Sequence, residues 1–390
     1  MRRTNHPKVA ILTNIIAPAR IPVFSGLADH FDLMVLHGGA ESNRDSWNGL
    51  ETCLPNAKVI KAWGLQLRIL RRENGQVFDQ LYTHITPGYL WHLLRFGPNA
   101  IVTNEMGFRT LLALAYGTLF RTPVWVWWGG TCHTERGIGL TKRRVRSLIS
   151  RWARHWISYG ESSTEYLLTL GIRRERILQI QNAVDERRFL TPAEPEFRIP
   201  VRPVLLHVGQ LIARKGIEAL LKVAALLQGE GSQFSLLLVG NGRDKVAFER
   251  LAVDLGLKNV YFRPALPPDR MPGVYRSGDI LVFPTLEDVW GLVANEAMLA
   301  GLTVLCSKYA GCAQELFSPQ NIFDPEDTEE FIGKLRDVLS GRLPKPEPRR
   351  LLTTPQIVET LIQALDSSID ERTEAPAHGG TTGDLGAAKY

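Results

Sequence analysis

The chain has 390 residues, 44% hydrophobic and 22% charged, with a formal net charge of +6. That balance is the one expected of a globular protein of two domains, and no apolar run approaches the roughly 20 residues needed to cross a bilayer. Cys53, Cys132, Cys306 and Cys312 lack metal-ligand or redox spacing, which fits reduced cytoplasmic thiols. The chain opens on an apolar strand without a signal-peptide core, so a cytoplasmic location is expected.

In chain order, buried strands are predicted over 8–13, 32–38, 100–104, 123–128 and 155–160, with helical segments around 21–30, 107–120 and 142–154. Residues 182–200 (NAVDERRFLTPAEPEFRIP) read as an interdomain link. Strands follow near 203–208, 235–240, 259–262, 279–284 and 302–306. This alternation implies parallel sheets with helices on both faces, an α/β protein of two Rossmann-like halves. PKPEP (344–348) interrupts the pattern, 355–369 reads as an amphipathic helix, and the Gly-rich, polar 370–390 reads as disordered.

Three segments of the second half carry chemistry. VLLHVGQLIARKG (204–216) is a strand, a loop and two adjacent cations, Arg214 and Lys215, at a helix start. Cations are disfavoured there by the helix dipole, so their presence points to an anion. SLLLVGNG (235–242) is a strand and a glycine turn, with Gly240 and Gly242 permitting close backbone approach. In DILVFPTLEDVWGLVANEAMLAG (279–301), Asp288 precedes Glu296 by eight residues, with Gly291 between them at a helix start and Gly301 at the C-cap. Ligands bind at the carboxyl ends of such strands, where a helix N-terminus offers N–H groups to an anion. Carboxylates beside an anion site suit vicinal hydroxyls, so a ligand with both phosphate and sugar fits best.

These segments resemble the retaining nucleotide-sugar glycosyltransferases of the GT-B fold, family 4 (glycosyl transferases group 1). The resemblance rests on the acidic-x7-acidic spacing of Asp288 and Glu296, on G-x-L-x-x-x-K-G at 209–216, and on N-x-V-D…F at 182–189. The chain departs from the usual pattern in several places: Asp288 stands for Glu, Trp290 for Phe, Thr303 for Pro, Gln210 for Arg, and Arg263-Pro264 for a small residue and Gly. Glu287 competes for the role of Asp288. The resemblance implies a domain over 1–190 that binds the acceptor, a nucleotide-sugar domain over 200–343, and a helix 355–369 crossing back to the first domain. It implies Arg214 and Lys215 neutralising the leaving diphosphate, with backbone N–H groups of Gly291, Leu292 and Val293 receiving it. Asp288 would hold donor-sugar hydroxyls and Glu296 the ribose, while Gly209, Gly240 and Arg263 line the donor site. Retention of configuration is implied without metal or other cofactor. The substrates implied are a nucleotide-diphosphate sugar and a glycan or lipid-linked acceptor, as in bacterial polysaccharide or glycolipid synthesis.

The first half is less specific. Arg20, Glu105 and His133 each follow a predicted strand and are acceptor-side candidates, with a surface anchor (Arg20) or a structural hydrogen bond (His133) as the plain alternatives. Residues 141–156 concentrate Lys142, Arg143, Arg144, Arg146, Arg151 and Arg154 around Leu148, Ile149, Trp152 and Trp156. Such a helix lies either on an anionic membrane surface, making the protein peripheral at the inner membrane face, or on the core with a solvated basic face. A catalytically inactive binding protein on the same fold competes with the enzyme. Nucleic-acid binding is not expected, because no recognition motif accompanies the charge.

Overall fold

The computed structural model describes residues 6–39, 49–73 and 76–374. The first domain runs β1 (Lys8–Thr13), α1 (Ile21–His30), β2 (Asp32–His37), β3 (Lys58–Lys61), β4 (Leu65–Glu73), β5 (Gln76–Ile85), α2 (Gly88–Phe96), β6 (Ala100–Asn104) and α3 (Phe108–Phe120). It continues through β7 (Val124–Trp128), α4 (Leu140–Trp152), β8 (His155–Tyr159), α5 (Gly160–Thr169) and β9 (Ile177–Ile180), and α6 (Glu186–Leu190) leads out. The second domain holds β10 (Val204–Val208), α7 (Ile217–Gly229), β11 (Ser235–Val239), α8 (Lys245–Asp254), β12 (Val260–Arg263), α9 (Met271–Arg276) and β13 (Ile280–Phe283). It ends with α10 (Leu292–Leu299), β14 (Thr303–Ser307), α11 (Ala313–Leu316), β15 (Ile322–Phe323), α12 (Thr328–Leu339) and α13 (Thr354–Glu374).

Each domain is built on one parallel sheet. The first has the order β3-β2-β1-β6-β7-β8-β9 and the second β12-β11-β10-β13-β14-β15. Strands such as VLLHV and SLLLV are buried throughout and largely apolar, because helices cover both faces of a parallel sheet. In the first domain α2, α3, α4 and α5 pack on one face, around Leu93, Leu114, Ile149 and Leu167. Helices α1 and α13 pack on the other, around Phe24, Leu27, Leu361 and Leu365.

The α/β architecture and every strand expected from the pattern are present, with additions. Strands β3 and β9 close the edges of the first sheet, where half-buried, short segments give little pattern. The antiparallel ribbon β4–β5 stands outside both sheets, with a bulge between Arg71 and Arg72. The interdomain switch falls ahead of residue 190: Ala183 packs into the core of the first domain, whereas Val184 and Phe189 pack into that of the second.

Helix α13 crosses back onto the first domain, as expected, but extends to Glu374 rather than 369. Ile357, Leu361, Leu365 and Ile369 form a stripe at four-residue spacing buried against Val23, Phe24 and Leu27. Three polar contacts fix its register: His30 Nε2 to Asp366 (2.9 Å), Trp125 Nε1 to Ser368 Oγ (3.1 Å) and Arg372 to the carbonyl of Phe120 (3.2 Å). Residues 370–374 are therefore helical, and the remainder of the segment expected to be disordered lies outside the described residues.

Candidate active site

Strand β13 ends at Phe283, and the acidic loop 284–291 carries the chain to α10. Gly291 sits at the N-cap with φ +103°, where a side chain would be strained, and a Cβ there would meet the buried Phe283 ring at 2.4 Å. No other residue fits. The glycine lets the chain turn so that the first-turn N–H groups of Leu292 and Val293, which have no intrahelical acceptor, face the cleft end of the sheet. The loop is held by its neighbour after β14. Asp288 N–H donates to the Tyr309 carbonyl (3.2 Å), and the N–H groups of Gly311 and Cys312 donate to the carbonyls of Asp288 (3.0 Å) and Trp290 (3.1 Å). Trp290, fully buried, donates its indole N–H to Asn295 Oδ1 (2.9 Å), and Asn295 in turn donates to the Asn182 carbonyl at the domain switch (3.0 Å).

The loop after β10 is stitched to the acidic loop. Leu286 N–H donates to the Arg214 carbonyl (2.9 Å), and the Arg214 guanidinium donates to the Glu287 carbonyl (2.6 Å). Lys215 Nζ meets Asp288 Oδ2 at 2.5 Å, with both side chains mostly buried. Burial pushes the Asp288 carboxyl up, but Lys215 and Arg214 outweigh it and hold the group below the usual carboxylate range. Two cations and a carboxylate held in its charged form by them thus converge at the helix N-terminus. Beneath the loop, His207 is fully buried, and its Nδ1 lies 3.3 Å from the Val282 carbonyl. Burial, with the Lys215 charge adding to it, lowers its pKa to about 4, so it is a neutral support.

Glu296 lies one turn inside α10, where it accepts a hydrogen bond from Tyr275 Oη at 2.5 Å. Burial raises its pKa to about 7 despite that bond. Gly240 and Gly242 permit close approach of the loop after β10: a Cβ at Gly240 would meet the Gly209 carbonyl at 1.8 Å, and one at Gly242 the Leu211 carbonyl at 2.2 Å. Arg263 ends β12 with its guanidinium 5.7 Å from the rings of Phe197 and Tyr261.

The first domain reaches across the cleft to the same acidic loop. His133 Nε2 lies 2.8 Å from the Leu286 carbonyl, and its ring stacks on Tyr309 at 4.2 Å. Arg71, from the β4–β5 ribbon, pairs with both carboxylate oxygens of Glu287 (2.8 and 2.9 Å), and Arg136 adds a contact at 3.3 Å. Arg243 closes the contact by donating to the Val77 carbonyl of the ribbon. Glu287 and Asp288 therefore face different partners: Glu287 binds the first domain and Asp288 binds Lys215. Arg71 and Arg136 were not among the sequence candidates, because their partner lies 216 and 151 residues away.

Arg20 is not a surface anchor. It is buried, 4.1 Å over the Trp127 ring, and hydrogen-bonded to Tyr159, an arrangement that shapes the first domain beneath the cleft. Glu105 follows β6 with φ +67°, a conformation rare for a non-glycine residue. It accepts from Arg109 (3.1 Å) and Asn14 (3.3 Å) while its side chain remains largely exposed. In α4, Arg146 turns inward to pair with Glu135 over Trp128 and Ile149 joins the core, as does Trp156 of β8. Lys142, Arg143, Arg144 and Arg151 stay exposed. Among the described residues no cluster of three His, Cys, Asp or Glu side chains could hold a metal ion.

Residues 194–352 match the family model of glycosyl transferases group 1. The sulfoquinovosyl transferase SQD2 of Arabidopsis thaliana is 24% identical over 66% of this chain and 53% of its own length. The 2-deoxystreptamine glucosyltransferase of Streptomyces kanamyceticus is 29% identical over 50% of this chain and 55% of its own. The chain thus spans about half the length of these curated relatives. Among solved structures, Anabaena HepE in complex with UDP and glucose superposes with TM-score 0.67 at 17% identity, covering 95% of this chain and 99% of that one. The lipopolysaccharide outer core galactosyltransferase WaaB gives 0.62 at 15% identity, over 94% and 98%. The protein accordingly has the GT-B fold, and residues 194–352 are similar to the glycosyl transferases group 1 family.

Proposed function

We propose that the protein transfers a hexose from a nucleoside diphosphate sugar to a glycan or lipid-linked acceptor, with retention of configuration and without a metal ion. The observation that carries this reading is the convergence of Arg214, Lys215, Asp288 and the α10 N-terminus on one point of the cleft. Departure of a nucleoside diphosphate builds negative charge on its terminal phosphate, and fixed cations and N–H groups stabilise that charge as the glycosidic bond breaks. Lys215 and Arg214 supply the cations, and Gly291, Leu292 and Val293 supply the N–H groups. Asp288 keeps Lys215 oriented when the site is empty. Once donor is bound, Asp288 accepts from donor-sugar hydroxyls and Glu296 from the ribose. The known binding of UDP by HepE makes a uridine nucleotide the first candidate donor. The fold would act from the cytoplasm, in polysaccharide or glycolipid synthesis.

Thermal-shift titration with UDP, GDP, ADP, CMP and their sugars, with and without EDTA, tests the reading. Selective stabilisation by one nucleoside diphosphate that survives EDTA is expected. No shift with any nucleotide would overturn the donor assignment and leave a binding protein on an inherited fold.

A further inference from the structure

The first domain leaves a set of large apolar side chains uncovered beside the cleft. Strand β4 is exposed on both faces as far as Leu70, and its alternation sets Leu65, Leu67 and Ile69 on one face of the ribbon. Trp63, at the foot of the ribbon, is 62% exposed, and Trp91 and Leu94 of α2 are 49% and 51% exposed. Ribbon and helix meet directly: a Cβ on Gly88, the first residue of α2, would come within 2.9 Å of Trp63 Cδ1. The inward side of α2 is ordinary core, with Tyr89 and Leu93 fully buried, so its outward apolar face is an addition that folding does not require.

Cations border this surface. The Arg95 guanidinium lies 4.1 Å over the Trp91 ring, and Arg68 is exposed on β4. Helix α4 packs on the same face of the sheet as α2, and its outward ridge interleaves Arg144 and Arg151 with Leu148 and Trp152, all exposed. Tryptophan and leucine edged by arginine is the chemistry of a bilayer interface. The rings and aliphatic stems sit at the headgroup boundary while guanidinium groups pair with lipid phosphates. A basic helix alone gives salt-dependent attraction only, whereas the apolar ribbon and α2 add insertion.

We infer that the β4–β5 ribbon and α2, with the basic ridge of α4, form a docking surface for an anionic lipid bilayer. Because the ribbon also reaches the acidic loop through Arg71, docking places the cleft mouth at the membrane, where a lipid-borne acceptor would enter. That last clause rests on the glycosyl-transfer reading, whereas the docking surface does not.

The test is flotation of the full chain with vesicles of phosphatidylcholine alone and of phosphatidylcholine with phosphatidylglycerol, for the native protein, Leu67→Gln/Trp91→Gln, and Arg144→Glu/Arg151→Glu. The native protein is expected to float with the anionic vesicles, and each double variant to bind about tenfold more weakly or worse. Melting temperature and the thermal shift with nucleoside diphosphate should stay unchanged, because all four side chains are exposed and outside the donor site. Absence of native binding to either vesicle overturns the proposal. So does binding that Leu67→Gln/Trp91→Gln leaves intact, which would reduce the surface to α4 alone. A concentration-dependent dimer abolished by the same variant, without vesicle binding, would reassign the patch to a second copy of the chain. A nucleotide shift absent in every protein, with vesicle binding retained, would remove the donor reading and leave docking standing.

Discussion

In the proposed reaction Lys215 and Asp288 are the central pair, and each is positioned by the other. Lys215→Ala removes the cation paired with Asp288 and leaves a mostly buried carboxylate with less compensation. Turnover at saturating donor should fall roughly 10²–10³-fold, the scale of losing one charge-stabilising group. Steady-state kinetics would check this, and unaltered turnover would remove Lys215 from the mechanism. Glu296 gives a pH signature of a different kind. Its folded pKa of about 7 lies above the unfolded 4.5, so the folded state holds a proton that the unfolded state has released between those values. Stability therefore declines as pH rises through that window. His207 works in the opposite sense, since its folded pKa near 4 lies below 6.5 and costs stability as pH falls. Glu296→Gln isolates the first effect: relative to the native protein its melting temperature should rise as pH goes from 5 to 8. A constant difference across that range would mean that Glu296 ionises normally.

Helix α10 and the ribbon show what local sequence can and cannot convey. Spacing alone placed Asp288, Gly291 and Glu296 on one strand-loop-helix unit, because each role depends on residues a few positions away. Gly291→Ala tests that unit. The alanine would combine a left-handed backbone with a clash against Phe283, so a loss of about 2 kcal/mol or more is expected in urea unfolding. A loss within about 0.5 kcal/mol would show that the loop relaxes freely. The ribbon was not legible. LQLRILRRE alternates as a strand should, but its partners are its own hairpin and a loop in the other domain, which no periodicity encodes. The burial of Arg20 was not legible for a related reason: it rests on the tertiary contact with Trp127 and Tyr159, which no local pattern encodes. Gln210, by contrast, was legible as a departure, and the structure supplies Arg214 beside Asp288 as the second cation.

At the scale of the molecule, the two domains are joined by contacts of two kinds. Near the switch at Ala183 and Val184 they run from core to surface: Asn295 donates to the buried Asn182 carbonyl, and Glu315 accepts from Gln181 (2.8 Å) and, at the surface, from the N–H of Glu161 (3.0 Å). Across the cleft they are mainly polar and gather on residues 286–287, through His133, Arg71 and Arg136. Contacts at a hinge move little during rotation, whereas those across the cleft break when it opens, and Glu287, buried beside Arg71 and Arg136, then returns to solvent. The geometry is therefore that of a closed form held by Glu287, with α13 tying the second domain's end to the first domain behind the hinge. Arg71→Ala/Arg136→Ala should leave the melting temperature within a few degrees of native, because neither side chain belongs to a core. The same variant should increase the radius of gyration of the ligand-free protein in solution scattering. An unchanged radius without ligand would mean that the switch region alone fixes the closed form, and that the Glu287 pairs follow closure rather than hold it.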